Sequence, residues 1–425
     1  MSSWMKVLAS ALLLVGLVAC GPGESEITPQ DSSMQEEGAR VGASTGSETL
    51  QRCVDTHDPG VDYFPDKVEA LHAQAWDVLY EDNYKIVTTY TSVASQHAGT
   101  GVEVKPRTYV LVQCGTPVPA LDGDLADATV IEVPIATAVD GDDVLLESFD
   151  FLGVADGLLG VGGTELTEVE APHMPSIYTR QQAGDVLVLG YEPNLEVLAD
   201  LMPDIYIKSS GEEEVFQEIE ETLGVPVVLF NPYQESPLGA AEKLKFLSLF
   251  YNKEQQANEH VELVISRYLE LQNLAEGADT TPRVLMGFVR PNGTWNTRQN
   301  DRYEMILVRD AGGQRVLDLP GNGFANVDLE VVVDQGHDAD FWFNLAWLPP
   351  QRTVEEFIEA SPEIADFRAI RRGNVFHRFG SRGIDYAYNG NIEPDVVLAD
   401  LIRIMYPDLL PEHEVVYLQP VPFEP

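Results

Sequence analysis

From Asn252 to Ala275 the chain contains neither Pro nor Gly, and its apolar residues recur at helical intervals. Ala257, Val261, Val264, Ile265, Tyr268, Leu271 and Leu274 fall three or four apart, while Glu254, Asn258, Glu262, Arg267 and Glu270 fall elsewhere. Such spacing predicts one amphipathic helix, on the order of 35 Å long at 1.5 Å per residue. A short pattern brackets it. Asn194-Leu195-Glu196-Val197-Leu198-Ala199-Asp200 followed by Asp204-Ile205-Tyr206-Ile207 precedes the helix. Asp328-Leu329-Glu330-Val331-Val332-Val333-Asp334 followed by Asp340-Phe341-Trp342-Phe343 comes after it. The same helix-then-strand unit is therefore expected on each side of a rod-like connection.

The amino terminus reads as an address, not as part of the fold. Lys6 precedes the apolar run Val7 to Ala19, and Leu17-Val18-Ala19-Cys20 closes it, as in a secretory signal over residues 1–19. Those last four residues resemble a bacterial lipobox, which makes Cys20 the expected lipidation site. Residues 20–50 are rich in Gly, Ser, Glu, Thr and Gln and cannot bury enough surface to fold, so a flexible tether is expected. The rest exceeds what one core usually holds, and two lobes are expected, 51–251 and 277–425, joined by a backbone helix over 252–276. Cys53 and Cys114 would meet an oxidising compartment. A disulfide between them is expected, worth ~4 kcal/mol in the chain-entropy picture, with two separate thiols as the alternative.

Within the lobes, β-branched and aromatic runs alternate with helical segments. Strands are expected at Tyr84–Tyr90, Tyr109–Val112, Thr129–Val133, Gly157–Val161, Val186–Leu189, Ile205–Ile207 and Val225–Phe230. Helices are expected from Asn194, over Glu212–Leu223 and from Ser236. After Gly277 the strand pattern restarts at Arg283 and continues through Tyr303–Val308. The helix Thr353–Glu359, the strand Asn374–Phe379 and the helix Pro394–Met405 follow. Alternation of this kind predicts an α/β protein made of two Rossmann-like lobes.

The chain carries 69 acidic against 26 basic side chains, a net charge of −43. Nucleic acid and anionic membrane surfaces are disfavoured as partners. In so acidic a chain the arginines are informative: 13 of 18 lie at or after Arg283. Arg290, Arg298 and Arg302 lie in a loop-like stretch with Trp295 and Tyr303. Arg368, Arg371, Arg372, Arg378 and Arg382 occupy fifteen residues without a carboxylate, close to Tyr386 and Tyr388. Both groups fall near the ends of expected strands, where open α/β sheets bind ligands. Guanidinium forks beside flat apolar rings suit a large, anionic, partly aromatic ligand. The competing reading is that these arginines pair with the chain's own carboxylates. No histidine pair has metal-ligand spacing, no nucleophile turn is present, and Gly157–Gly163 lacks the Lys-Ser/Thr of a phosphate loop.

Signal, tether, lobe, rod and second lobe together resemble the substrate-binding lipoproteins of ABC importers. The likeness is to the helical-backbone class (periplasmic binding protein class III), which carries ferric siderophores, haem or cobalamin. It rests on Asn194-Leu195-Glu196, Met202-Pro203-Asp204-Ile205-Tyr206-Ile207, Glu235-Ser236-Pro237-Leu238-Gly239, Asp310-Ala311-Gly312-Gly313, Asp328-Leu329-Glu330 and Pro394-Asp395-Val396-Val397-Leu398-Ala399-Asp400. The resemblance implies a monomeric, non-enzymatic receptor without a cofactor, held at the outer face of the cytoplasmic membrane through Cys20 alone. It implies a ferric siderophore-type ligand between the lobes, bringing forward Arg180, Trp295, Arg298, Arg302, Tyr303, Arg378, Arg382, Tyr386 and Tyr388. It also implies that Glu196 and Glu330 dock on an ABC permease. Haem or cobalamin is the alternative within the class, and haem would require an axial ligand such as Tyr303, His377 or Tyr386. A free-metal receptor or an extracytoplasmic enzyme is the alternative outside it, and either would require clustered His and carboxylates.

Overall fold

The stripe of apolar residues becomes the helix Glu254–Glu276, which buries Ala257, Val261, Val264, Tyr268 and Ala275. The computed structural model describes residues 53–92, 104–163, 165–167, 172–345, 353–378 and 386–423. The expected signal, the tether with Cys20, and Arg382 lie outside the described residues. Glu254, which the helical pattern placed on the polar side, is buried, because it ion-pairs with the fully buried Lys85. That ammonium also donates to Leu249 O at 2.6 Å and Asn252 Oδ1 at 2.9 Å, and lies 4.4 Å from the Phe64 ring centroid. Among the described residues no helix is long and apolar enough to cross a membrane.

The first three expected strands do not join the alternating pattern, and a strand that was not expected, Trp76–Tyr80, precedes them. β1 (Trp76–Tyr80), β2 (Tyr84–Ser92) and β3 (Val104–Gln113) form an antiparallel run, with β4 (Thr129–Val133) added parallel to β3. The reason is length: the turn at Glu81, closed by Glu81 N donating to Tyr84 O, is too short for a crossover helix. Cys53 and Cys114 are joined by a disulfide, with their Cα atoms 4.7 Å apart.

Two parallel sheets follow. β5 (Ala138–Asp140), β6 (Leu158–Val161), β7 (Leu187–Val188), β8 (Ile205–Lys208) and β9 (Val227–Leu229) align in the order β7-β6-β5-β8-β9. After the helix Glu254–Glu276 come β10 (Arg283–Met286), β11 (Phe288–Val289), β12 (Thr294–Arg298), β13 (Gln314–Arg315), β14 (Phe324–Asp328), β15 (Phe341–Asn344), β16 (Val375–His377) and β17 (Gln419–Pro420). The second sheet has the order β13-β10-β15-β16-β17, parallel except for β17. The strands β11, β12 and β14 form a small antiparallel sheet of their own. The fold is thus mixed α/β with parallel sheets, as expected.

Each parallel sheet reverses its strand order once, between β5 and β8 and between β10 and β15, and ligands of open sheets bind outside the carboxyl ends at such points. The glycine-rich stretch serves the first of these. A Cβ at Gly162 would stand 1.9 Å from Gly141 O, so glycine there permits close approach of two backbones, not phosphate binding. Two local expectations are corrected in the second half. Tyr303–Asp310 is a helix, not a strand, because its unbroken apolar run fits either period and Tyr303, Leu307 and Val308 bury one helical face. Arg290–Arg302 is not a loop, since β12 runs through it.

The repeat noted in the sequence is real as local structure. The helices Leu195–Leu201 and Leu329–Gly336 each precede a parallel strand, and each is capped by an Asx side chain, Asn194 or Asp328, that accepts from the backbone of Glu196 or Glu330. The cores are not segregated by sequence. Ala240 and Leu238, which precede the connecting helix, pack with Tyr268, Tyr303 and Leu401, while Tyr388 packs with Phe149 and Val261.

Candidate ligand-binding site

Beyond the carboxyl ends of the second sheet, three arginines gather around one carboxylate. Arg298, the last residue of β12, donates from Nε to Glu304 Oε1 at 2.8 Å and from Nη1 to Asn296 Oδ1 at 3.2 Å. Arg302 caps the helix bearing Glu304, and its Nε lies 3.9 Å from Glu304 Oε2. Those two atoms are buried and have no hydrogen-bond partner. The guanidinium carbons of Arg298 and Arg302 stand 4.3 and 4.6 Å from the Phe324 ring centroid. Arg378, immediately after β16, completes the group.

The electrostatics follow from burial with surplus positive charge. Burial alone would raise the Glu304 carboxyl, but Arg298 and Arg302 outweigh it and hold the group down at about 2. Burial lowers Arg378 to about 10, with Arg298 acting in the same direction and Glu304 against it. Arg302 is likewise lowered, by burial first. Tyr386 is raised, by burial and then by Glu304. Across Arg298, Arg302, Arg378 and Glu304, positive charge exceeds negative by two. Such a group is suited to receiving an anion.

The first sheet presents a different face. Asp140 ends β5, accepts from Val144 N and Leu145 N, and is fully buried; burial pushes its carboxyl up to about 7. Asp142 pairs with Lys208 at the end of β8 and accepts from Ser209 N and Oγ at 2.6 and 2.8 Å. Tyr233 stands on the turn Pro232–Gln234 after β9, near Asp143, Asp142 and Asp140. Its hydroxyl is raised well above the phenol range, first by loss of solvent, although the side chain keeps 38% of its surface.

The structure sorts the residues named from sequence. Arg298, Arg302, Arg378 and Tyr386 come together, with Tyr303 beside them, its hydroxyl donating to Gly390 O at 2.7 Å. Trp295 does not belong to the group. It is fully buried, donates to Met286 O at 3.0 Å and packs 5.5 Å from Trp342, because β12 alternates and turns it into the core. Arg180 is spent on backbone, donating to Ala155 O and, at 2.8 Å, to Leu158 O. Tyr388 is core.

The second arginine set does not act as one. Arg368 and Arg372 pair with Asp340 at 3.1 and 3.3 Å, and Arg371 with Asp366 at 3.6 Å, near the amino end of β15. For these the competing reading, pairing with the chain's own acids, holds. Sequence reasoning missed Glu304, Phe324, Tyr233 and Asp140. Only Glu304 carried a signal, as a carboxylate two residues after Arg302. A small cavity beside the group lies within the second half and is lined by Met286, Glu304, Leu307, Phe343, Tyr386 and Leu401. Among the described residues no three His, Cys, Asp or Glu side chains gather as a metal site. Glu196 and Glu330 are both exposed in the first turn of their helices.

Residues 138–378, more than half of the chain, match the periplasmic binding protein family, and the chain belongs to that family. It is accordingly a solute-binding protein and not an enzyme. Two uncharacterized lipoproteins of Methanocaldococcus jannaschii are similar to it. One is 23% identical over 307 residues, covering 71% of this chain and 76% of the relative. The other is 28% identical over 226 residues, covering 51% of each. Among solved structures, the periplasmic haem binding protein HutB of Vibrio cholerae is similar with a TM-score of 0.51 and 17% identity, over 64% of this chain and 99% of that one. A protein of an ABC-type Fe3+-hydroxamate transport system from Saccharomonospora viridis gives 0.50 and 15%, over 64% and 94%. At such identities the likeness is one of fold, and it accords with the resemblance to ABC receptors. The family match begins at Ala138, the first residue of β5, so β1–β4 stand outside it.

Proposed function

We propose that the protein is the lipid-anchored receptor of an ABC importer, taking an anionic ferric chelate of siderophore type between its two α/β halves and handing it to the permease. The supporting observation is the pair Arg298 and Arg302 on the buried Glu304, with the half-buried Arg378 after β16 of the parallel sheet close enough for their charges to act on it. Guanidinium forks bind carboxylate, hydroxamate or catecholate oxygens bidentately, and Phe324 supplies a ring face. Because Arg298 is bonded to Glu304, a chelate engages it as its guanidinium turns from that carboxylate. Binding then exchanges one charge pair for another.

Quenching of intrinsic fluorescence, titrated separately with ferric citrate, a ferric hydroxamate, a ferric catecholate, haemin and cobalamin, tests the reading. A ferric chelate is expected to bind, and Arg298→Ala with Arg302→Ala to weaken it at least about a hundredfold, two charged contacts being removed. Binding of haemin or cobalamin alone would overturn the chelate assignment. Haem would then engage Tyr303, His377 or Tyr386, all of which are buried.

The same reading includes anchoring through Cys20, a monomeric state, residence outside the cytoplasmic membrane, and a rigid helix Glu254–Glu276 bridging lobes 51–251 and 277–425. It also gives Glu196 and Glu330 the docking role, since both are exposed and equivalently capped. Ion pairs of this kind steer encounter more than they hold a complex. Glu196→Lys with Glu330→Lys should leave ligand affinity intact and abolish the stimulated ATP hydrolysis of the reconstituted transporter. Unchanged stimulation would remove the docking role.

A further inference from the structure

Two carboxylates bracket the helix Pro237–Ala241 and receive five successive backbone N–H groups from the strip that leads into β1. Glu242 accepts from Leu71, His72 and Ala73 at 3.1, 2.8 and 2.7 Å, and Glu235 accepts from Gln74 and Ala75 at 2.7 and 2.6 Å. Both acids are buried, and Lys245 lies 3.2 Å from Glu242. Contact is close enough to dictate Gly239, where a Cβ would stand 2.5 Å from Glu235 Oε2 and 2.9 Å from His72 O. The strip Leu71–Ala75 lies outside the part of the chain that matches the family, whereas Glu235 and Glu242 lie within it.

What the strip holds is the junction between the two faces of the gap. Glu235 directly follows the turn that carries Tyr233, and Ser236 caps the helix by accepting from Gly239 N at 3.1 Å. In the other direction, Leu238 and Ala240 pack into the core that contains Tyr303 and Tyr386. The helix also contacts Tyr303–Asp310, which bears Glu304. A charged acceptor bonded to consecutive N–H groups is a stiff connection, stronger than neutral hydrogen bonds.

We propose that the strip Leu71–Ala75 is a positioning element for the ligand gap, acting through Glu235 and Glu242 to fix Tyr233 on one face and the helix of Glu304 on the other. This rests on the proposed ligand site. It assigns the N-terminal sheet a role in setting that site's geometry, beyond covering the core.

Hydrogen exchange on the full chain reads the coupling without a ligand. In Glu235→Ala the amides of Asn231, Tyr233, Gln234 and 303–310 should exchange about tenfold faster or more, while those of Ile205–Lys208 stay protected. Glu235→Gln keeps one acceptor and should restore most of the protection, and it serves as the variant if Ala prevents folding. Faster exchange confined to residues 71–75 would overturn the proposal. The second arm titrates haemin and ferric citrate at a temperature where every variant is folded. Positioning predicts an affinity loss of about tenfold in Glu235→Ala for whichever probe the wild type binds, recovered by Gln. A clamp that is merely structural would lower the melting temperature and leave that affinity unchanged, sinking the proposal. If neither probe binds wild type while exchange behaves as stated, citrate and haem are excluded as ligands and the positioning role stands on exchange.

Discussion

The two parallel sheets handle a buried carboxyl near their strand ends in opposite ways. Glu304 lies among guanidinium groups that hold it down at about 2, whereas Asp140, buried among backbone and other acids, is pushed up to about 7. Burial opposes ionisation at both positions, and neighbouring charge decides the outcome. The second group therefore holds an ionised carboxylate under surplus positive charge. The first face tolerates negative charge only where Lys208 or backbone N–H groups compensate it.

The largest expected effect comes from breaking the second face. Glu304→Gln leaves the guanidinium groups without their carboxylate and should cost about 3–5 kcal/mol of stability in urea unfolding. A cost below 1 kcal/mol would mean that the arginines are hydrated and the contrast is lost. Acid comes next. A carboxyl depressed in the folded state contributes stability that is present above its unfolded value near 4.5 and lost as pH falls toward 2. Its share is on the order of 3 kcal/mol, and it should vanish from the stability-pH curve of Glu304→Gln.

Asp140 sharpens the comparison from the other side. With its folded value raised, its contribution is fully present below about 4 and lost as pH rises through about 7. Asp140→Asn should therefore flatten the decline of stability between pH 5 and 8, by about 2 kcal/mol in denaturant unfolding. The smallest effect concerns Arg180, the base that sequence reasoning assigned to the first face. Since it serves Ala155 O and Leu158 O, Arg180→Ala should lose about 1–2 kcal/mol of stability and leave ligand affinity unchanged. A loss of affinity there would return Arg180 to the site.

Periodicity made much of the fold legible. The helix Glu254–Glu276, the paired units ending in β8 and β15, and the capped first turns at Glu196 and Glu330 follow local rules of spacing and capping that need no partner. The same rules faltered where a run fits two periods, as at Tyr303–Asp310, or where hairpin length overrides alternation, as in β1–β3. The site was half legible. Scarcity made the arginines conspicuous, but proximity in sequence joined Arg378 to Arg368, Arg371 and Arg372, which β16 carries to the other end of the sheet.

By itself the sequence determined the class of fold, the placement of the helix Glu254–Glu276 and the surplus of arginine in the second half. Each of these is written in residues near one another along the chain. Only tertiary structure decided which arginines share a carboxylate, that Trp295 faces the core, that Lys85 and Glu254 are buried together, and that Leu71–Ala75 fastens onto Glu235 and Glu242. In each case the partners are brought into contact by sheet register and helix packing, and their energies depend on burial that no local pattern records.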